Sequence, residues 1–251
     1  MINILVLMAG NSDHFQKAGF SYPKNLIEIH GKPLIQHTLQ ALTDQHAGLP
    51  KSKIICLIQQ EEIKRYHTAS VVGLINNHTI VMPVASNTKG AACTALLAIE
   101  HINNDQPLLI TNGDIILEAN LPTIIHDFQT RNLDAGTIVF ESIHPRWSYV
   151  RCDEQDYVIE ASEKRPISHL ATAGCYYFKQ GRDFVNAAMG MIRKDAQVEG
   201  AFYICPVFNE LILQQKRIGI HKIKNQDYIS LALPEGVRNY EALLTTRINH
   251  A

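Results

Sequence analysis

Four short segments of this chain carry side chains suited to phosphate chemistry. The apolar run Ile4-Leu5-Val6-Leu7-Met8 opens into Ala9-Gly10-Asn11, and Pro23-Lys24 follows, then Gly31-Lys32-Pro33. A second apolar run, Leu108 to Ile110, leads into Asn112-Gly113-Asp114, and Glu163-Lys164 stands shortly before Ala173-Gly174. Backbone N–H groups in a small-residue turn cradle phosphate oxygens. Proline fixes its own φ and holds Tyr22 extended, so Lys24 sits on a defined stretch with its ammonium as a point charge for a polyphosphate. A strand opening into a glycine-bearing loop with a lysine, and a later strand delivering an aspartate, are what an α/β protein needs to hold a nucleoside triphosphate and Mg²⁺. Each position also has a plain alternative. Gly10 would suit any strand-to-helix turn, Asp114 a cap, Lys32 a solvated surface, and Glu163-Lys164 an exposed ion pair worth ~0–1 kcal/mol.

The elements that position these residues follow from apolar periodicity. Strands are expected at Ile4 to Met8, Ile54 to Ile58, Val81 to Val84 and Pro107 to Thr111. Helices are expected between them at Leu34 to Leu42, Glu61 to Ile75 and Ala91 to Ile102. Such alternation predicts βαβ units, a mostly parallel sheet and ligands at the carboxyl ends of its strands. After Asp114 the pattern turns strand-rich: Thr137 to Phe140, Tyr149 to Cys152, Tyr157 to Ser162 and Ala173 to Phe178, with a hairpin turn at Asp153 to Asp156. Helices at Asp183 to Arg193, Cys205 to Gln215 and Glu235 to Arg247, and a strand at Ile218 to Ile223, complete the chain. The expected fold is an α/β three-layer sandwich with a mixed, mostly parallel sheet and a Rossmann-like nucleotide-binding half. One domain spans residues 1–251, with a nucleotide half (1–115) and an acceptor half (116–251).

These motifs resemble the sugar-phosphate nucleotidyltransferases, or nucleotide-sugar pyrophosphorylases, of the GT-A-like class, over almost the whole chain. The segments Lys89-Gly90-Ala91-Ala92-Cys93-Thr94, His144-Pro145-Arg146-Trp147-Ser148-Tyr149 and Phe202-Tyr203-Ile204-Cys205-Pro206-Val207 are similar to a bacterial branch found with capsule and surface-polysaccharide genes. The resemblance implies transfer of NMP from an NTP to a sugar 1-phosphate or similar phosphorylated molecule, with release of pyrophosphate. It implies that Met8, Ala9, Gly10 and Asn11 meet the nucleotide, and that Gly90 and Ala91 meet the base. Lys24 would neutralise the leaving pyrophosphate and Asp114 would ligate Mg²⁺. Glu163, Lys164 and Gly174 would meet the acceptor, Lys164 at its phosphate. Trp147, Tyr149 and Tyr203 are further candidates for the acceptor pocket.

Three departures accompany the resemblance. The family's phosphate loop usually reads G-x-G-x-R, whereas here Gly10-Asn11-Ser12-Asp13-His14 puts His14 where a charged fork would clamp the triphosphate. Histidine contributes comparable charge only when protonated, so pH-dependent nucleotide binding is expected there, with Lys17 as an alternative cation. Relatives carry a second metal carboxylate near the C-terminus, where this chain aligns Leu231. Asp227, four residues away, is roughly 13 Å distant along a strand. Close relatives also have glutamate in place of Ala201, with Glu199 here as the neighbouring substitute.

Composition narrows the class. A formal charge of −1 creates no whole-molecule field for nucleic acid or an acidic membrane, so a small anion held by a local cluster is favoured. Five widely spaced cysteines without a C-x-x-C pair argue against a disulfide framework or zinc knuckle. No run approaches the ~18 apolar residues of a membrane helix, and the cytoplasm is the expected setting. The expected partners are an NTP and a phosphorylated small molecule, with homo-oligomerisation open. Two rivals are a catalytically silent nucleotide-binding relative acting through a partner, and a GT-A glycosyltransferase, although Asn112-Gly113-Asp114 lacks the D-x-D metal motif of the latter. A dinucleotide-dependent dehydrogenase fits less well, since Gly10 lacks the G-x-x-G remainder of that fingerprint.

Overall fold

The computed structural model describes residues 1–44, 52–85 and 87–249. In chain order the elements begin with β1 (Ile2–Met8), α1 (Asp13–Lys17), β2 (Glu28–Ile29), β3 (Lys32–Pro33), α2 (Leu34–Asp44), β4 (Ser52–Gln59), α3 (Gln60–Tyr66), α4 (Thr68–Ile75) and β5 (Ile80–Val84). They continue with α5 (Ala91–Leu96), α6 (Ile99–Ile102), β6 (Leu108–Asn112), β7 (Ile115–Leu117), α7 (Leu121–Thr130), β8 (Ala135–Glu141), β9 (Ser148–Cys152), β10 (Val158–Glu163) and β11 (Leu170–Phe178). The chain then runs through α8 (Gly181–Arg193), α9 (Val207–Leu213), β12 (Ile218–Lys222), β13 (Tyr228–Ser230) and α10 (Pro234–Asn249). Among the described residues no helix is long and apolar enough to cross a membrane.

The nine-stranded sheet has the order β10-β9-β11-β6-β1-β4-β5, with β8 paired to β11 and β12. β1 is parallel to both β4 and β6, and β4 is parallel to β5. β11 joins β6 and β8 antiparallel, which makes the sheet mixed on that side of β1. β1 and β4 read as nearly continuous apolar runs because both their faces are covered. Leu5, Ile55 and Leu57 pack with α5, α8 and α9 on one face. Ile4, Val6, Ile54 and Cys56 pack with α2, α4 and α7 on the other. The result is the expected three-layer α/β sandwich. The chain runs from β1 out to β5 and then returns to β6 on the other side of β1. The strand order therefore reverses beside the carboxyl ends of β1 and β6, the crevice where such sheets hold ligands.

Two expected helices are each broken. At 61–75 the chain divides at His67, whose φ of 53° lies in the left-handed region that a helix interior excludes. At 91–102 the Leu97 and Ala98 N–H groups bond three residues back, to Thr94 and Ala95, so the turn tightens before α6 begins. Helix α7 gave no expectation from periodicity, yet it carries a readable start: the Asn120 side chain accepts the Thr123 N–H at 3.0 Å. The turn at 153–156 is a hairpin as expected, closed by the Asp153 carboxylate accepting the N–H groups of Gln155 and Tyr157.

Candidate active site

A cleft of about 480 Å³ opens at the carboxyl ends of β1 and β6, with one wall from each half of the chain. On one side the loop after β1 contributes Ala9, Gly10 and Asn11, and the segment before α5 contributes Asn87, Thr88, Gly90 and Ala91. Lys24 projects between them from a short 3₁₀ turn introduced by Pro23 at φ −62°. Its backbone N–H is held by Ser12 Oγ at 2.9 Å and its ammonium reaches Asp114 Oδ2 at 2.6 Å. Beneath it Asn25 donates to the Met8 carbonyl at 3.0 Å and to the Glu62 carboxylate at 3.0 and 3.1 Å. Burial pushes the Glu62 carboxyl up, while hydrogen bonds from Asn25 and Thr68 and the charge of Lys24 oppose the shift.

The segment before α5 is fixed by its own hydroxyls and by the opposite wall. Thr94 Oγ1 donates to the Gly90 carbonyl at 3.2 Å. Phe202 donates to the Lys89 carbonyl at 2.8 Å and accepts the Ala92 N–H at 3.0 Å. Gly90 makes this possible, because at φ 106° a Cβ there would lie 2.4 Å from the Phe202 carbonyl oxygen.

On the other side the cleft is lined by Glu163, Gly174 and Tyr203, together with Trp147. Gly174 occupies a register shift in β11 at φ 69°, against the Asn112 side chain, which places the β11 bulge beside the turn that carries Asp114. Glu163 is buried and accepts the Ser148 hydroxyl at 2.5 Å. Desolvation pushes its carboxyl up against the pull of that hydrogen bond and of Lys164. Tyr149 is a core residue rather than a lining one, with its hydroxyl donating to the His144 carbonyl at 2.6 Å.

Three named candidates stand outside the lining. Met8 points into the helix-covered core opposite Leu7, His14 is exposed on α1, and the Lys164 ammonium is engaged by the Glu199 carboxylate in a neighbouring pocket. Lys17, on the same short helix as His14, is also exposed. Lining residues that carried no functional expectation include Arg146, Tyr176 and Tyr228. Arg146 lies with its guanidinium 4.3 Å from the Trp147 ring centre, Tyr176 bonds Thr172 at 2.8 Å, and Tyr228 stacks on Phe140 at 4.5 Å. Burial pushes the Tyr228 hydroxyl up; Asp114 adds to the shift, whereas Ser230 and Arg146 oppose it.

Among the described residues no group of three His, Cys, Asp or Glu side chains could hold a metal by itself. Asp114 and Glu163 are the acidic residues among the cleft lining. One carboxylate together with substrate phosphates is a donor set that Mg²⁺ accepts, since the ion keeps much of its hydration. Leu231 does not sit where a second carboxylate would help. Its N–H donates to the Asp114 carbonyl at 2.7 Å, while its side chain is fully buried against Phe15, Ile27 and Leu34. Ser230 shares the strand face of Tyr228, and that face looks toward the cleft. Asp227 is not part of the lining, and its carbonyl accepts the Glu118 N–H at 2.8 Å.

The glycine-bearing loop after β1, a lysine paired with a strand-end aspartate and a wall that carries Glu163 meet in one cleft, and the Nucleotidyl transferase family matches residues 4–203, the span that builds nearly all of it. The chain belongs to the nucleotidyl transferase family. It is an enzyme of nucleotidyl transfer. It is similar to the UTP–glucose-1-phosphate uridylyltransferase AglF of Haloferax volcanii, 29% identical over 180 residues that cover 69% of this chain and 70% of AglF. It is also similar to the bifunctional protein GlmU of Methanocaldococcus jannaschii, 26% identical over 181 residues, covering 70% of this chain and 40% of that protein. In fold it matches the crystal structure of the nucleoside-diphosphate-sugar pyrophosphorylase from Vibrio cholerae RC9 with a TM-score of 0.82 at 23% identity, covering 95% of this chain and 99% of that one.

Proposed function

We propose that this family member transfers a nucleotidyl group from an NTP to a sugar 1-phosphate or similar phosphorylated small molecule and releases pyrophosphate. The observation that carries this reading is the Lys24–Asp114 pair, seated between the Gly10 loop, the Gly90 segment and the acceptor wall. An oxygen of the acceptor phosphate forms the new bond to the α-phosphorus, and the bond from that phosphorus to the bridging oxygen of pyrophosphate breaks. Lys24 stabilises the negative charge that gathers on the leaving group, and Glu163 and Tyr203 orient the acceptor for in-line attack. Asp114, with substrate phosphates, would hold Mg²⁺, which supplies further charge neutralisation when bound. Residues 1–115 serve as the nucleotide half and 116–251 as the acceptor half of one domain, working in the cytoplasm. A role in surface-glycan assembly is proposed from the resemblance of three cleft-lining segments to the capsule and surface-polysaccharide branch.

Thermal stability with CTP, UTP, dTTP, GTP and ATP, with and without Mg²⁺, tests the reading. A ligand at ~100 times its dissociation constant adds about 2.7 kcal/mol, or roughly 5 to 11 °C for a domain of this size. A magnesium-dependent shift with one base, followed by pyrophosphate release with glucose 1-phosphate, is the expected result. Replacing Lys24 by Met should lower kcat by about 10²–10³ while the protein remains folded. No shift with any triphosphate in folded protein overturns the reading.

A further inference from the structure

Glu62 is a buried acid that stands outside the cleft lining, in the first turn of α3 and 7% exposed. Its carboxylate accepts the Asn25 amide at 3.0 and 3.1 Å and the Thr68 hydroxyl at 3.2 Å. Burial pushes its carboxyl up, and the charge of Lys24 is among the effects that oppose the shift. The acid is therefore close enough to Lys24 to feel it. A buried carboxylate is costly to a fold, and this one lies directly beneath the lysine of the cleft.

The junction of β4 and α3 also holds the start of the Gly10 loop. Gln59, at the end of β4, donates to the Ala9 carbonyl at 2.9 Å. Asn25, which rests on Glu62, donates to the Met8 carbonyl at 3.0 Å. Two consecutive carbonyls are thus fixed just before Gly10. Asn25 follows Lys24 in the chain and is only 2% exposed, so its side chain anchors the backbone from which the ammonium is aimed. The orientation of its amide is set by charge. The NH₂ group faces a carbonyl and a carboxylate, while Oδ1 is buried with no hydrogen-bond partner among the described residues. Turning the amide over would set that oxygen against both acceptors. An orphaned buried oxygen is itself unfavourable, and here it accompanies an NH₂ held on Glu62 and Met8.

This anchor matters because Asp114 has two duties. It holds the Lys24 ammonium at 2.6 Å, and in the proposed reaction it also serves the metal and substrate phosphates. The ion pair alone does not fix the aim of Lys24. The remaining holds are Ser12 Oγ on the Lys24 N–H at 2.9 Å and the Asn25 side chain backed by Glu62.

We propose that Glu62 is a positioning residue for Lys24: its carboxylate orients the Asn25 amide, and the amide ties the Lys24 stretch to the end of β1. The kinetic consequence rests on the proposed transfer reaction. Lys24 acts on charge that appears as pyrophosphate leaves, so a loss of aim falls on kcat and spares KM.

Glu62→Gln keeps the shape of the side chain and removes its charge, and Asn25→Ala removes the tie. Both variants, their double variant and the wild type are compared by steady-state kinetics and by hydrogen–deuterium exchange of the peptide spanning residues 20–29. In Glu62→Gln, kcat should fall about tenfold, the worth of one hydrogen bond to a charged group, with both KM values within about threefold. Once Asn25 is alanine, Glu62→Gln should change kcat by less than about twofold, because the effect runs through the amide. Exchange at 20–29 should quicken several-fold in Glu62→Gln while the rest of the chain keeps the wild-type rate. The proposal is overturned by wild-type kcat or unchanged exchange at 20–29 in Glu62→Gln, by additive losses in the double variant, by a loss confined to KM, or by faster exchange along the whole chain. A wild type that transfers to no phosphorylated acceptor, with the exchange difference still confined to 20–29, overturns the transfer reaction and leaves the tie standing.

Discussion

Gly90→Ala is the sharpest test of how the cleft is assembled. Gly90 has φ 106° and ψ 174°, a region open essentially to glycine alone, where another residue costs about 1–3 kcal/mol. The added Cβ would lie 2.4 Å from the Phe202 carbonyl oxygen and 2.6 Å from its nitrogen, both backbone atoms with no rotamer to change. Restoring ordinary contact requires the two segments to part by about 1 Å, which weakens the Phe202 hydrogen bonds to Lys89 and Ala92 at roughly 0.5–1.5 kcal/mol each. The sum is about 2–6 kcal/mol, or a Tm fall of roughly 4–24 °C for a chain of this length. Gly31→Ala is the control. Its φ is 73° and nothing lies within 4 Å of an added Cβ, so only the left-handed cost of about 1–2 kcal/mol applies. Calorimetric melting of both variants decides the matter, with KM for the NTP as the functional readout, expected to rise only in Gly90→Ala. If Gly90→Ala melts no lower than Gly31→Ala, the close backbone approach does not hold the two walls together.

Other outcomes follow from burial and charge. Leu231→Asp should lose more than about 4 kcal/mol in a urea melt, because an unpaired carboxylate replaces a fully buried side chain, whereas Ser230→Asp should stay within about 1 kcal/mol. Burial pushes the thiols of Cys56 and Cys175 to about 12 and Cys205 higher still, while Cys93 and Cys152 are half-buried. An Ellman titration of native protein should therefore count at most two of the five thiols, and all five in denaturant. The raised carboxyl of Glu62 binds its proton more tightly in the folded state, so its contribution to stability falls as pH rises from the unfolded value of roughly 4.3. Wild-type Tm should accordingly drop relative to Glu62→Gln between acidic and neutral pH, and the opposite trend would contradict the burial of that charge.

The parallel half was legible because its strands are apolar on both faces and its helices carry a 3.6-residue stripe. Ile54 to Ile58 and Val81 to Val84 lie within β4 and β5 for that reason. The break at His67 was hidden, since a left-handed residue inside an amphipathic stretch leaves the stripe almost intact. Met8 shows what a stricter use of alternation would have gained. Leu7 and Ala9 pack toward the helices of one face, so Met8 has to point to the other. Tyr228 was missed for a different reason. A strand of three residues is too short to show a period, and its pairing with β7 is set by tertiary packing. Arg146 had the opposite problem: an exposed arginine in a loop gives no local signal, and only the fold brings it over Trp147 and into the cleft wall.

The three departures from the family pattern fall at physically different places, and this matters for activity. His14 sits on an exposed helical turn, where a change of side chain alters the approach to the loop more than the cleft itself. Ala201 closes a tight turn with Val198, and Glu199, at φ 50° within that turn, presents the carboxylate that Lys164 holds. Glu199 therefore puts an acidic group two residues before Ala201, beside the Lys164 ammonium. Leu231 belongs to an apolar cluster with Phe15, Ile27 and Val237, so it contributes to stability and offers no substitute ligand. None of the three removes the Lys24–Asp114 pair or Glu163, and the backbone ladder between Lys89 and Phe202 still ties the nucleotide wall to the acceptor wall.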